Sequence, residues 1–200
     1  MLKVNPDFSA WLGKRTLIFG DVNSGKTTLT REVLGWMCGQ GLAARIAVID
    51  LAPDIPEGIA AKKGLKGVGG KLIPPEGTGI PYLSSSIAPP RLTARSEEGA
   101  LRIACGNAAR IEVLLEEYPG GERDILFIND ISMYLQAGEV ATVKLLLEKA
   151  RTVVANGYYG RILGTGVLSA RERKKMEELK EIFHILVFLK DIKGNESIHK

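Results

Sequence analysis

A short apolar run, Thr16-Leu-Ile-Phe19, leads straight into Gly20-Asp-Val-Asn-Ser-Gly25-Lys26-Thr27, and a helix-forming stretch from Thr27 to Met37 leads out. The eight residues complete a G-x-x-x-x-G-K-[ST] pattern. It constrains the fold because its chemistry works only at a strand-to-helix turn, where successive backbone N–H groups curl around a phosphate at a helix N-terminus. Lys26 is then expected to reach the β- and γ-phosphate oxygens and the Thr27 hydroxyl to ligate Mg²⁺. The residues expected around the phosphates are Gly20, Asp21, Val22, Asn23, Ser24, Gly25, Lys26, Thr27 and Thr28. Binding of a nucleoside triphosphate is the reading this loop implies.

The rest of the chain has the rhythm such a turn requires. Thr16–Phe19, Arg45–Ile49, Asp124–Ile128, Thr152–Ala155 and His184–Leu189 are apolar, β-branched runs without polar alternation, as in parallel strands covered on both faces. A first helix is expected from Thr27 to about Cys38, stopped by Gly39 and Gly41. A second starts near Ser96, with Glu97 and Glu98 in its first turn, and ends at Pro119-Gly120-Gly121. A third spans about Gly138 to Arg151. Ser169-Ala-Arg-Glu172 reads as a capping box opening a fourth, which runs on through Met176, Leu179 and Ile182. This alternation predicts an α/β three-layer sandwich with a mainly parallel sheet of five or more strands, one P-loop NTPase domain over residues 1–200. The 45% apolar and 25% charged residues are those of a globular protein with a real core. No cleavable apolar leader and no run of membrane-spanning length is read, so a cytoplasmic location without a membrane partner is expected. Cys38 and Cys105 lie on the apolar sides of helical patterns and are expected to be buried, reduced thiols.

One segment breaks the rhythm. Residues 52–95 are rich in Pro and Gly and follow the second strand, which places them at the C-terminal edge of the sheet, on the phosphate side. Between Gly58 and Arg95 six basic side chains (Lys62, Lys63, Lys66, Lys71, Arg91, Arg95) face the single acid Glu76, a net charge of +5 against +4 for the whole chain. The glycine-rich lysine stretch from Lys62 to Lys71 suits phosphate contact, and Arg91 and Arg95 have the spacing of two guanidiniums on one helical face. A phosphate-bearing substrate or nucleic acid is the partner expected at this insertion. Arg171, Arg173, Lys174 and Lys175 alternate with Glu172, Glu177 and Glu178, a solvated helix face.

Two strands end in acids that suit Mg²⁺ or the attacking group: Asp50 after Ile46-Ala-Val-Ile, and Asp130 after Ile125-Leu-Phe-Ile-Asn129. Both stay open as metal ligand and as catalytic carboxylate. Asn129 is the alternative inward-pointing residue, since neighbouring strand residues face opposite sides. Asn156 ends the fourth run and is read either as a base-contacting amide or as a turn former before Gly157. Tyr158 and Tyr159 suit base stacking or cover for the sheet edge. His184 is expected to be packed in the core.

The loop, the strand ending in Asp50, the strand ending in Asn129-Asp130 and the late strand ending in Asn156 together resemble the SIMIBI class of P-loop NTPases. The nearest local similarity is to the 5′-hydroxyl polynucleotide kinases. Their second-strand motif Asp-x-Asp-Pro-Gly-Gln-Pro corresponds to Asp50-Leu-Ala-Pro53-Asp-Ile-Pro56, which keeps the first Asp and both prolines. The second Asp, the Gly and the Gln are lost, and the family's Thr-x-Gly-Trp clasp is replaced by Asn129-Asp-Ile-Ser-Met-Tyr134. Arg91 and Arg95 match the family's Arg-x-x-x-Arg spacing but precede the third strand. The signature second lysine of the dimeric ATPases is absent, since position 21 is Asp.

Three functions fit these residues: Mg²⁺-dependent hydrolysis of ATP or GTP, phosphotransfer in which Asp50 acts as base on a substrate hydroxyl, and non-catalytic nucleotide gating of the insertion. The lack of an Asn/Thr-Lys-x-Asp guanine-reading motif tilts the base toward adenine. The oligomeric state is left open.

Overall fold

The computed structural model describes residues 7–55 and 70–190. Six strands form one sheet: β1 (Arg15–Gly20), β2 (Ile46–Asp50), β3 (Tyr82–Ser84), β4 (Ile125–Asn129), β5 (Thr152–Tyr158) and β6 (Ile185–Leu189). Their order is β3-β2-β4-β5-β1-β6, and every pairing is parallel. The helices are α1 (Lys26–Gly39), α2 (Pro90–Thr93), α3 (Glu97–Glu117), α4 (Ser132–Leu135), α5 (Val140–Glu148) and α6 (Val167–Lys180).

Strand alternation splits the core into two layers. Leu17, Ala47, Ile49, Leu126, Ile128, Val153 and Ala155 face a cluster with α3, α4, α5 and α6. Ile18, Ile46, Val48, Ile125, Phe127 and Val154 face the other way, against Val33, Leu34 and Met37 of α1 and Leu72 and Ile80 of the insertion. All residues of β2, β4 and β5 are buried, as their unbroken apolar runs require. The α/β sandwich with a parallel sheet is thus the observed architecture.

Several local expectations are corrected. The insertion contributes a sixth strand: β3 pairs with β2 in the register Val48 to Tyr82 and Asp50 to Ser84. The fourth apolar run does not stop at Ala155. Asn156, Gly157 and Tyr158 continue β5 because Ile18, Phe19 and Gly20 of β1 go on pairing beside them, which overrides the Asn-Gly turn signal. α6 begins at Val167 with Gly166 as N-cap, so Ser169 lies inside the first turn and forms no capping box. Ser96 does cap α3, its hydroxyl accepting from Gly99 N. A short helix, α4, precedes the expected third helix, which covers Val140–Glu148. His184 is exposed rather than packed: it precedes the half-exposed edge strand β6, and its Nδ1 accepts from Arg15 N at 2.9 Å. Cys105 is exposed and Cys38 only half-buried, where partial burial pushes its thiol pKa up.

Candidate nucleotide-binding site

The loop between β1 and α1 takes the shape its glycines permit. Gly25 has φ +89°, a left-handed conformation that side-chain-bearing residues rarely adopt, and it leads directly into α1. Gly20 is required for a different reason. A Cβ there would stand 2.3 Å from the Leu189 carbonyl oxygen of β6. Lys26 is the first residue of α1; its Nζ donates to Asp21 O (2.5 Å) and Ser24 Oγ (3.4 Å), which turns the ammonium back over the loop. Asp21 anchors the loop from the other side. Its carboxylate accepts from Val22 N (2.7 Å) and from Arg161 N (3.0 Å), tying the loop to the β5–α6 connection.

An open cleft of about 800 Å³, counted out to solvent, lies above the loop. Its lining includes Val22, Asn23, Gly25, Lys26, Thr27 and Thr28 from the loop, with Asn129, Asp130, Asn156 and Tyr158 from the strand ends. Ala52 and Gly70, the described flanks of the insertion, close one side. Lys62, Lys63 and Lys66 lie outside the described residues.

The two strand-end acids have opposite surroundings. Asp50 is fully buried and its carboxylate accepts four hydrogen bonds, from Ala52 N (3.0 Å), Leu72 N (2.7 Å), the Tyr82 hydroxyl (2.8 Å) and Asn129 Nδ2 (2.9 Å). Two carboxylate oxygens have about four acceptor positions, and four donors meet them here. Asp50 pins the insertion to the sheet. Burial, and then the bond to Asp50, push the Tyr82 hydroxyl pKa upward.

Asp130 follows β4 with φ +56° and faces the cleft. Its carboxylate accepts from Ser132 Oγ at 2.6 Å, and its N–H donates to Asn156 Oδ1 at 3.0 Å. Loss of solvation raises its pKa; the Ser132 bond and the Lys26 and Arg91 charges pull back. Asn129 and Asn156 join the loop to the strands from below. Asn129 Oδ1 accepts from Asn156 Nδ2 (2.8 Å) and from Thr27 Oγ1 (3.4 Å), while Asn156 Nδ2 also donates to Thr30 Oγ1 (2.9 Å). The side chain of Asn156 belongs to this buried network, and the residue also lines the cleft.

These side chains form a phosphate-loop arrangement: a G-x-x-x-x-G-K-[ST] sequence at the turn between a parallel strand and the helix it feeds. No family model matches the chain, and no curated protein matches it. Among the solved structures similar to it are the two that follow. The flagellar accessory protein FlaH from Methanocaldococcus jannaschii is 12% identical, with a TM-score of 0.48 over 88% of this chain and 71% of that one. The Pif1 helicase from Candida albicans is 17% identical, with a TM-score of 0.37 over 89% of this chain and 36% of that one. The likeness is one of outline.

The arginine pair and the mixed-charge helix differ from expectation. α2 spans only Pro90–Thr93 and Ala94 is extended, so Arg91 and Arg95 share no helical face. Arg91 instead pairs with Glu172 of α6, which is 2% exposed, and its guanidinium lies 5.7 Å from the Tyr158 ring centroid. Glu172 was expected on a solvated face; the spacing of α6 turns it inward, where the Arg91 charge meets it. Lys71 is tied within the insertion, to Ala52 O (2.6 Å) and Asp54 (3.1 Å). Tyr158 lines the cleft, whereas Tyr159 packs edge-on against Phe19 under Lys180.

Proposed function

We propose that this chain binds a nucleoside triphosphate, ATP in preference to GTP, with Mg²⁺ in the loop cleft, and hydrolyses it. The observation that carries the reading is the convergence of Lys26, Thr27 and Asp130 on one open cleft. In this reading Lys26 and the loop N–H groups hold the β- and γ-phosphates. Among the described residues no three His, Cys, Asp or Glu side chains gather as a metal cage. That suits Mg²⁺, which takes phosphate oxygens and water with one or two protein ligands. Thr27 and Asp130 are the residues that would hold it, and when bound it offsets charge on the phosphates. Asp130, with its raised pKa, is also the carboxylate placed to orient a water. A phosphate-bearing partner of the insertion rests on Lys62, Lys63, Lys66 and Arg95, since Lys71 and Arg91 are engaged by acids.

The SIMIBI-class and polynucleotide kinase likenesses rest on sequence motifs, and the kinase role for Asp50 is opposed by its four hydrogen bonds. One assay separates the readings. The protein is incubated with γ-labelled ATP or GTP and Mg²⁺, with and without a 5′-hydroxyl oligonucleotide. Free phosphate is the expected product; labelled oligonucleotide would replace hydrolysis by phosphotransfer; binding without either product would leave a nucleotide-gated module. Lys26→Ala should lower nucleotide affinity by roughly 10- to 100-fold, the worth of charge-assisted hydrogen bonds to phosphate. Unchanged affinity in that variant would overturn the site.

A further inference from the structure

An open groove of about 350 Å³ lies at the C-terminal ends of β1, β5 and β6, beside the outermost described strand, β6. Asp21 is the one residue of the phosphate loop that lines it, and none of its lining residues lines the nucleotide cleft. Its floor is aromatic. Phe19, 8% exposed, supports two rings nearer the surface: Tyr159 edge-on at 5.6 Å between centroids, and Phe188 tilted at 5.3 Å. Strand alternation sends Val187 and Leu189 toward α1 and leaves Leu186 and Phe188 outward, 48% and 52% exposed. The Phe188 ring is thus braced by another ring and still open to solvent.

The rim is cationic. Arg161 and Lys190 line the groove and are exposed, and their side chains have no hydrogen-bond or ion-pair partner among the described residues. Arg173 donates to the Gly160 carbonyl and lies 5.3 Å from the Tyr159 ring centroid; the Lys180 ammonium lies 4.5 Å from the same ring. Two acids are near, and both are engaged. Asp21 accepts from Val22 N and Arg161 N, while Glu177 accepts from the Tyr159 hydroxyl and pairs with Lys180. Arg161 and Lys190 therefore carry uncompensated charge beside an open aromatic face.

Simpler occupants use half of this surface. An apolar segment would cover Phe188 and desolvate the cations unpaired, at a cost. Inorganic phosphate would meet the cations and leave the rings in water. A second copy laid groove to groove would set Arg161, Arg173 and Lys190 against themselves, and so open a groove encloses little of a small ligand. A polymer with a phosphate and a planar ring in every unit uses both halves. We propose that the groove binds single-stranded nucleic acid, one base stacked on Phe188 and the neighbouring phosphates held by Arg161, Arg173 and Lys190. Duplex bases are stacked on one another and offer Phe188 no face. The surface is separate from the lysines of the insertion and from the cleft assigned to the triphosphate.

Fluorescein-labelled oligothymidylate and oligouridylate of about 12 nucleotides, within the length one strand-binding site covers, are titrated with the full chain without triphosphate and followed by anisotropy. A duplex of the same length, and phosphatidylserine vesicles followed by co-sedimentation, complete the set. A single strand should bind with a Kd of about 10 μM or tighter at about 0.1 M salt, and the duplex at least about 5-fold more weakly. The tighter of the two strands identifies DNA or RNA as the partner. Phe188→Ala should weaken strand binding about 10-fold, the worth of one stacked base, and Phe188→Trp should restore it. The double variant Arg161→Gln/Lys190→Gln should reduce the slope of log affinity against log salt by about 1.4, two phosphate contacts at about 0.7 each. It serves as the second probe should Phe188→Ala fail to fold. Lys26→Ala should leave strand affinity unchanged while triphosphate affinity falls, so the two sites fail separately. Strand affinity and salt slope untouched in the folded variants would overturn the proposal and assign any strand binding to the insertion. Duplex bound as tightly as single strand, no strand binding, or binding to vesicles alone would overturn it as well.

Discussion

Asp50 and Asp130 sit at the ends of adjacent strands, each preceded by the same kind of apolar run, and the surroundings set them apart. Asp50 is enclosed by four donors, whereas Asp130 has one hydroxyl and an open cleft. Asp50→Asn turns an acceptor oxygen into an NH₂ group facing existing donors. It should lower stability by about 1–3 kcal/mol in urea unfolding, the cost of orphaned buried groups. Asp130→Asn should abolish turnover while changing the urea midpoint little, because the amide keeps the side chain's size and an oxygen to accept from Ser132 Oγ. Gly20→Ala sets a methyl against the Leu189 carbonyl and should cost about 1–3 kcal/mol by the same measurement. Sequence alone made these two acids equivalent. What distinguishes them is Leu72 and Tyr82, 22 and 32 residues downstream of Asp50, and no local pattern reports where such partners arrive. The loop from Gly20 to Thr27 was legible because its phosphate-binding pattern lies within eight residues, although its distant supports, Asn129, Arg161 and Leu189, were not.

At the level of elements, boundaries drawn by side-chain capping held at α3 and failed at α6. Ser96 precedes a long amphipathic helix and caps it; Ser96→Ala should cost about 1 kcal/mol in thermal or urea unfolding. Ser169 and Glu172 have the same spacing as a capping pair, but Glu172 is drawn inward to Arg91, a partner 81 residues away. Burial raises the Glu172 pKa from 4.5 to about 7, with the Arg91 charge opposing. A raised folded-state pKa means that the folded protein binds this proton more tightly than the unfolded chain does. The stabilising contribution is therefore full below about pH 4.5 and is lost as the pH rises through about 7. Urea midpoints measured between about pH 5 and 8 should fall by an amount worth roughly 1–3 kcal/mol, and Glu172→Gln should remove most of that slope. A slope retained in the variant would assign it to other groups, Asp130 first. β3 was missed for another reason: three residues are too few to display a period, and the strand exists because β2 offers an edge to pair with.

Across the whole molecule, unbroken apolar runs separated by helical patterns specified a parallel sheet, because only strands covered on both faces can be apolar throughout. The lateral order β3-β2-β4-β5-β1-β6 was not legible, since it depends on which edges meet after the chain has crossed over. That order has a consequence for how the protein is made. β1, the first of the described strands in chain order, is flanked by the fifth and sixth, and Gly20 is held in register by Tyr158 on one side and Leu189 on the other. The phosphate loop thus stays without its walls until the chain as far as Leu189 has emerged. During synthesis a nucleotide has no finished loop to grip. The nucleotide proposed above would latch the completed sheet and not seed it.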